Sequence, residues 1–407
     1  MSRERFDPLS PAVLPNPYPH YARLRQEDPI HWGVADDAGL PGRWYIVRFA
    51  DVMAILKDGR FGREVEKHLP TGAVPPVAPA DAGLKSMADT WMILRDPPVH
   101  TRLRALVVQN YTPRRVEALR PFITQLADQL VDDILAHGPP LDLLSHFTLP
   151  LTVRVTAHVL GLPQEDYAQL MPWSRALAAV IDFNQEAGLR EQSRRAVEQF
   201  TAYLRELIAA RRRRPADDLI SSLVALENEG RVQDEAELVG SLTHLLFVGN
   251  DPVMHQLGLG VLNLLRQPDQ FALLHSAPAL LANAVDELLR YDSPVQATFR
   301  YALKDVVLQD KTIRTGDHIA LMLAAANRDP VVCPDPERLD VRRPVGQVST
   351  FGAGVHYCLG APLARLEGEI ALHALIQRLP NLAVTSEQLA WPPTIAVRGP
   401  LVLTVTF

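Results

Sequence analysis

The sequence is poor in cysteine, with only Cys333 and Cys358 among its 407 residues. Two cysteines are too few for a disulfide framework, and they fit a reducing compartment. CxxC, CxxCH and HExxH motifs are all missing, so the usual signatures of zinc sites and of covalent c-type haem attachment are absent. The two isolated cysteines must therefore be interpreted one at a time.

Long apolar runs and a strong net charge are also missing. No stretch approaches the roughly 18 unbroken apolar residues of a membrane span, and the N-terminus lacks the apolar core of a signal peptide. The formal net charge of −6 gives no general attraction for nucleic acid. We therefore expect a soluble, cytoplasmic protein that binds neither nucleic acid nor membrane.

Helical periodicity dominates the middle of the chain, where apolar residues recur at spacings of three and four. The predicted helical segments are 115–136, 164–183, 187–212, 217–226 and 235–266. Short β-branched or apolar runs predict strands at 44–47, 306–308, 317–323 and 401–407. No internal repeat, linker or alternation of strand and helix is evident. The pattern predicts one domain, residues 1–407, that is mainly α with small β-sheets.

Two local features complete this picture. Asp51 precedes a short helical pattern and is predicted to cap that helix. Residues 69–83 are rich in proline, alanine and glycine, which predicts an irregular loop.

The segment around Cys358 is the most informative part of the sequence. It reads Phe-Gly-Ala-Gly-Val-His-Tyr-Cys-Leu-Gly-Ala-Pro over residues 351–362, and a helical pattern follows it. A thiolate at a helix N-terminus is stabilised by backbone N–H groups and by the helix dipole. The glycines would let the backbone approach a large flat partner, which suits ligation of haem iron. From local chemistry alone, a buried structural cysteine and a catalytic thiol nucleophile stay equally open.

Four sequence blocks resemble the cytochrome P450 family and cover nearly the whole chain. Phe351-x-x-Gly354-x-His356-x-Cys358-x-Gly360 is similar to the family's haem-binding signature. The other blocks are Glu287-x-x-Arg290, the 327–340 region with Asn-Arg-Asp-Pro, and Asp-Pro-Pro-Val-His-Thr-Arg-Leu-Arg at 96–104. The resemblance implies a triangular prism of helices around haem b, iron protoporphyrin IX.

The resemblance also assigns roles to individual residues. Cys358 would be the axial ligand of the iron. Haem propionates need cations or donors, and the residues implied for haem binding are His100, Arg104, Arg300, His356, Phe351, Gly352 and Gly360. Glu287, Arg290 and Arg343 would form a buried structural charge cluster.

The helix predicted to pass over the oxygen-binding face departs from the family pattern. Gly249 and Asp251 occupy the expected catalytic positions, but Pro252 stands where the family usually has threonine. Proline has no hydroxyl and no N–H, so the carbonyl of Val248 loses its helical partner. Either Pro252 only reinforces a kink, or proton delivery is unusual. In the second case a substrate hydroxyl, or Asp251 with ordered water, would replace the threonine.

Substrate and partners are less readable. The resemblance places a substrate pocket at Trp91, Met92, Asn250, Val295, Gln296, Phe299 and Ile395. Such residues favour a mainly apolar substrate, free or tethered to a carrier protein, although core packing is the more common role of such side chains. Electrons would come from a ferredoxin or flavodoxin with its reductase. A basic docking patch is predicted from five arginines, which could equally be scattered solvated residues: Arg102, Arg114, Arg115, Arg342 and Arg365.

The function implied is an O2-dependent monooxygenase that hydroxylates or epoxidises a small apolar molecule of secondary metabolism. The missing threonine keeps a second chemistry open on the same scaffold, namely oxidative coupling or a peroxide-driven reaction. A non-catalytic haem-binding protein and a thiol hydrolase are the alternatives from other classes.

Overall fold

A computed structural model of the protein describes residues 6–33, 42–70, 82–178, 187–385 and 388–407. These residues belong to two compact units. The first unit comprises residues 1–75, 258–358 and 380–404, and the second comprises 76–257, 359–379 and 405–407. The expectation that residues 1–407 form one domain stays a prediction.

Helices account for most of the described chain. Their bounds are α1 Tyr18–Glu27, α2 Phe49–Lys57, α3 Ala82–Ala88, α4 Val99–Val107, α5 Pro113–Glu117, α6 Arg120–His137, α7 Leu149–Leu160, α8 Tyr167–Ala178, α9 Ala187–Arg213, α10 Leu219–Asn228, α11 Glu235–Leu265, α12 Pro268–Ser276, α13 Leu281–Tyr291, α14 Leu323–Asn327 and α15 Ala361–Arg378. The prediction of a mainly α protein with small sheets is confirmed.

The predicted helices agree well with these bounds. Helices α6, α9, α10 and α11 each lie within a few residues of a predicted segment. The segment 164–183 corresponds to α8, and its last residues lie outside the described chain. Most of the loop predicted at 69–83 is likewise outside it, and α3 already begins at Ala82.

The predicted cap at Asp51 is wrong. Helix α2 begins at Phe49, so Asp51 lies inside its first turn. The backbone N–H of Phe49 donates to Asp329 Oδ2 at 2.9 Å. A carboxylate from a distant part of the first unit therefore satisfies a donor at this helix start.

The strands are short. Their bounds are β1 Ile30–Gly33, β2 Arg43–Ile46, β3 Phe61–Gly62, β4 Leu141–Asp142, β5 Thr298–Ala302, β6 Val306–Leu308, β7 Lys311–Ile313, β8 His318–Leu321, β9 Ala383–Val384 and β10 Thr404–Thr406. Three predicted strand segments, 306–308, 317–323 and 401–407, contain one of these strands, and the segment 44–47 overlaps β2.

The first unit contains a five-stranded sheet with the order β1-β2-β8-β5-β3. Strands β2 and β8 pair in parallel, with Trp44 opposite Ile319, and the other pairs are antiparallel. Strand β8 is buried along its whole length, as expected for a central strand. Strands β6 and β7 form a separate hairpin.

The core of the second unit is one large apolar cluster. It draws fully buried side chains from helices α7, α9, α10 and α11, among them Leu160, Phe200, Leu223 and Leu242. Helices α7 and α11 approach closely at Gly249, where a built Cβ would lie 2.7 Å from Thr156 Oγ1. A glycine is therefore required at this crossing by packing alone.

In the part of the chain that the structure describes, no helix has the length and apolar character to cross a membrane.

Candidate active site

Cys358 is carried at the end of a tight loop in the first unit. Its backbone N–H donates to the carbonyl of Phe351 at 2.9 Å, which closes the loop over residues 351–358. The N–H of Tyr357 donates to the carbonyl of Gly354 at 3.1 Å within the same loop. The cysteine itself is half-buried, and helix α15 begins three residues further along the chain.

The glycines of this segment serve different purposes. Gly354 has a φ of +69°, and a Cβ there would lie 2.5 Å from the carbonyl oxygen of Leu56 in α2. Gly352 also has a positive φ, of +68°. A Cβ at Gly352 or Gly360 would meet no atom of the described residues within 4 Å. Gly354 is thus required by packing against α2, while Gly352 and Gly360 leave room beside the backbone.

The start of the cysteine loop is held by Asn327, the last residue of α14. Asn327 Oδ1 accepts a hydrogen bond from the N–H of Ser349 at 2.7 Å, and its Nδ2 donates to Thr350 Oγ1 at 2.7 Å. Thr350 Oγ1 also lies 2.8 Å from Ser293 Oγ. All these side chains are buried. The sequence indicated Asn327 only as part of a family motif, without a partner.

A buried charge cluster joins Glu287, Arg290 and Arg343 in the first unit. Arg290 donates to both carboxylate oxygens of Glu287, at 2.6 and 2.8 Å. Arg343 Nε donates to Glu287 Oε1 at 3.2 Å, and so does the N–H of Asp340 at 3.1 Å. The pairing predicted for these three charged residues is therefore present. The remaining donors of Arg290 reach the carbonyls of Pro336 and Arg338.

The four residues expected to hold haem propionates are divided between the units. His100 and Arg104 lie one turn apart on α4 in the second unit, and His100 is only 2% exposed. Arg300 lies in β5 of the first unit and donates to the carbonyl of Phe299 at 2.7 Å. His356 is half-buried in the cysteine loop. A common role of these four side chains toward carboxylates stays a prediction.

Helix α11 continues through Pro252 and carries the predicted catalytic positions. Asp251 and Pro252 are both half-buried. Burial raises the pKa of Asp251, and the nearby His255 partly lowers it. The distance from His255 Nε2 to Asp251 Oδ1 is 3.7 Å. Gly249, expected as a small residue beside the oxygen-binding face, is the residue that contacts α7.

Three of the predicted pocket residues, Trp91, Asn250 and Gln296, are buried in the structure, and their contact with a substrate stays a prediction. Trp91 is fully buried and stacks on His244 and Phe247, with ring centroids 5.8 and 6.0 Å apart. Asn250 is also fully buried, and its Nδ2 donates to Ser174 Oγ at 2.9 Å.

Gln296 is also buried, although it lines a small cavity together with Ile395. It is 3% exposed, its Nε2 donates to the carbonyl of Ser293 at 2.6 Å, and its Oε1 accepts from the Tyr21 hydroxyl at 2.9 Å. Both ends of the amide are therefore committed to the first unit's core.

The other predicted pocket residues are partly buried or close to the surface limit of the core. Met92, Val295 and Ile395 are half-buried. Phe299 is 7% exposed and stacks on His318 at 5.2 Å. Their contact with a substrate stays a prediction.

The predicted basic patch also needs one correction. Both terminal nitrogens of Arg102 donate to the carboxylate of Glu237, at 2.8 and 2.5 Å. Its charge is therefore neutralised within the second unit and offers little to an acidic partner. Arg114, Arg115 and Arg342 are exposed, and Arg365 is half-buried.

Sequence reasoning did not single out His255 and Glu367, which are among the buried titratable residues of the second unit. His255 lies one turn after Asp251 on α11. Glu367 lies on α15, is 1% exposed, and burial raises its pKa well above the usual range. Helical spacing could have revealed it, because Glu367 shares a face with the apolar Leu363 and Ile370.

Comparison with known proteins identifies the family of the chain. Residues 272–389 match the family model described as Cytochrome P450. The chain is 37% identical over 403 residues to the Polyketide biosynthesis cytochrome P450 PksS of Bacillus subtilis (strain 168), covering 98% of each chain. It is 40% identical to the Mycinamicin IV hydroxylase/epoxidase of Micromonospora griseorubida, covering 89% of each chain.

A solved structure supports the same conclusion. P450BioI in complex with hexadec-9Z-enoic acid ligated Acyl Carrier Protein superposes with a TM-score of 0.88 at 35% identity, covering 98% of this chain and all of the other. The chain belongs to the cytochrome P450 family. It is therefore a haem-iron oxidoreductase.

The residues present fit the haem that the family implies. A half-buried thiol stands on a loop whose backbone is already closed, and thiolate is a known haem ligand. Gly352 and Gly360 leave room beside the backbone. Buried cationic or titratable side chains, Arg300 and His100, suit carboxylate groups held away from water.

Proposed function

We propose that this protein is an O2-dependent monooxygenase that hydroxylates or epoxidises a small, mainly apolar molecule of secondary metabolism. It would use haem b with Cys358 as the axial ligand. The closed loop that presents Cys358 carries this proposal. The substrate class is supported by the relatives, whose names specify polyketide biosynthesis and a mycinamicin.

Several residues of the chain would bind the haem. When bound, the haem supplies oxygen activation, and a thiolate ligand favours cleavage of the O–O bond. His100, Arg104, Arg300 and His356 would hold the propionates by charge-assisted hydrogen bonds. Phe351, Gly352 and Gly360 would lie against the ring.

Substrate binding and proton supply fall to other groups. Met92, Val295, Phe299 and Ile395 would exclude water from the substrate. Asp251 would hold a proton at Oδ1, because burial favours its neutral form. The Val248 carbonyl, which Pro252 leaves without a helical donor, gives a water or a substrate hydroxyl an acceptor.

A ferredoxin, or a flavodoxin, with its reductase would supply the electrons, and the site would lie in the cytoplasm. A substrate carried by an acyl carrier protein is a second possibility. It is favoured by P450BioI, whose structure contains an acyl carrier protein. Oxidative coupling or peroxide-driven chemistry is a further candidate reaction, favoured by Pro252 in place of threonine.

The first test is the visible spectrum of the purified protein, with matched cysteine variants. We expect the wild-type and Cys333→Ser proteins to give the thiolate-type Soret band of the reduced CO complex. Cys358→Ser should lose that band, because the iron would have no thiolate. Cys333 is the suitable control because it is the other cysteine and is buried. A Cys358→Ser protein with an unchanged thiolate band would overturn the assignment.

The same ferric protein identifies the substrate class by titration. We expect a blue shift of the Soret band with macrolactones, or with fatty acyl groups on an acyl carrier protein, because a bound substrate would change the surroundings of the haem. A shift with the carrier-bound acyl group but not with the free acid would select the tethered substrate. No shift with any of these compounds would contradict the proposed substrate class.

A further inference from the structure

His255 lies close to Asp251 on the part of α11 that contains Pro252. The two residues are four apart on α11 and lie on one face of the helix. His255 Nε2 is 3.7 Å from Asp251 Oδ1. That distance exceeds a direct hydrogen bond, so a small side-chain rotation or one bridging water completes the contact.

The His255 side chain is more deeply buried than that of Asp251. The Asp251 side chain is 23% exposed and the His255 side chain 11% exposed. His255 Nδ1 is buried and has no hydrogen-bond partner among the described residues. Leaving such an atom unsatisfied is costly, and one buried water bonded to Nδ1 would remove the cost. The ring thus has Nε2 toward the carboxylate, and its Nδ1 is a buried atom for which a bound water is the missing partner.

The electrostatics of the pair favour proton exchange. Burial raises the pKa of Asp251 and lowers the pKa of His255. Each group's charge opposes the effect of burial on the other, so their proton affinities move toward each other. Among the described residues, Asp251 is the one charged group that acts on the pKa of His255.

Other polar groups on this turn do not provide an alternative. Asn250 is fully buried and bonded to Ser174, and Pro252 has neither a hydroxyl nor an N–H. Asp251 and His255 are therefore the two titratable side chains of this part of α11.

We propose that His255 passes protons to Asp251 and so replaces the hydroxyl missing at Pro252. After Asp251 has given up its proton, a proton from water binds Nδ1 of His255 and the proton on Nε2 passes to the ionised Oδ1. The ring is left neutral with its proton on Nδ1, and exchange of the ring tautomer restores the starting form. One proton enters and one leaves, and no electrons move. The inference rests on the proposed monooxygenase function and adds a residue to its proton supply.

The first experiment does not depend on turnover. The imidazole of His255 is titrated by 15N NMR in the CO-bound ferrous protein, with His255→Gln used to assign its signals. We expect Asp251→Asn to lower the pKa of His255, because the aspartate charge raises it. The exposed His373 should titrate identically in both proteins. An unchanged His255 titration would overturn the pairing, whether or not the enzyme hydroxylates anything.

The second experiment measures coupling with the compound that gives the largest Soret shift. We expect His255→Phe and His255→Gln each to lower the product formed per NADPH at least about tenfold, since a positioned acid–base group contributes on the order of 10² or more. The lost electrons should appear as hydrogen peroxide. His373→Phe should leave the yield unchanged.

A rescue variant separates proton transfer from folding. Adding Pro252→Thr to His255→Phe should restore most of the coupling, because the threonine hydroxyl supplies another route. Wild-type coupling in His255→Gln, or no rescue in a double variant that retains a normal thiolate Soret band, would overturn the relay. A protein that binds haem but never forms product would instead contradict the proposed function. In that case the NMR titration alone would test whether Asp251 and His255 interact.

Discussion

At the scale of single residues, the cysteine loop depends on one backbone conformation. Gly354 has a positive φ, which costs an L-residue roughly 1–2 kcal/mol, and its missing Cβ allows the carbonyl of Leu56 to approach. Gly346 lies a few residues earlier, does not have a positive φ, and has no described atom within 4 Å of a built Cβ. The two glycines therefore form a matched pair.

Gly354→Ala should lower the free energy of unfolding by about 2 kcal/mol or more, from backbone strain and the clash with Leu56. Gly346→Ala should leave it unchanged or raise it by up to about 1 kcal/mol, because alanine restricts the unfolded chain. Urea midpoints followed by circular dichroism check both. Equal effects of the two substitutions would contradict the packing role of Gly354.

Residue types could be read from the sequence, but their partners could not. The motif identified Cys358, Glu287 and Arg290, and the pairing of the last two with Arg343 is present. The same reasoning placed Trp91 and Asn250 in a pocket, whereas the structure buries both. Apolar and amide side chains at helical spacing look alike in a core and in a pocket, since the sequence does not show which face of a helix is covered.

At the scale of elements, the buried charge cluster joins α13 to the segment 334–343. Glu287 is fully buried and accepts from both arginines and from the N–H of Asp340. Removing one member of a buried ion pair leaves an uncompensated charge, which costs about 3–5 kcal/mol. An exposed pair such as Glu229 with Arg231, 3.7 Å apart, contributes about 0–1 kcal/mol.

Glu287→Gln keeps the side-chain volume and should destabilise the protein by about 3–5 kcal/mol, with less haem bound per chain. The exposed control Glu229→Gln should change stability by less than about 0.5 kcal/mol. Chemical denaturation and the ratio of Soret to protein absorbance are the measurements. If both substitutions behaved alike, the cluster would not stabilise the fold.

Elements with strong periodicity were predictable, and elements set by distant contacts were not. The 31 residues of α11 follow from a long apolar repeat. Strand β5 was missed because its sequence, Thr-Phe-Arg-Tyr-Ala, carries a buried arginine where a strand pattern expects an apolar residue. The cap at Asp51 was misplaced because Asp329, far along the chain, bonds the start of α2.

At the scale of the whole molecule, the pH dependence of stability should carry the signature of Glu367. Its folded-state pKa is raised by burial above the ordinary value of 4.5. Above pH 4.5 the unfolded chain releases this proton while the folded chain keeps it. The free energy of unfolding therefore falls as pH rises from 4.5 toward the folded-state pKa, by at most about 1.4 kcal/mol per pH unit.

Glu367→Gln removes the titrating group and should flatten this fall above pH 4.5. The difference between wild type and variant isolates the contribution, because every other titrating group is common to both. Urea denaturation of both proteins at several pH values provides the measurement. A variant that retained the wild-type slope would show that Glu367 does not remain protonated on folding.

The hydrogen bonds of Asn327 also bear on the position of Cys358. The Asn327 side chain joins α14 to Ser349 and Thr350, and the backbone N–H of Cys358 closes the loop by donating to the carbonyl of Phe351. The position of the Cys358 backbone therefore depends on α14, an element that lies far from the cysteine in the sequence.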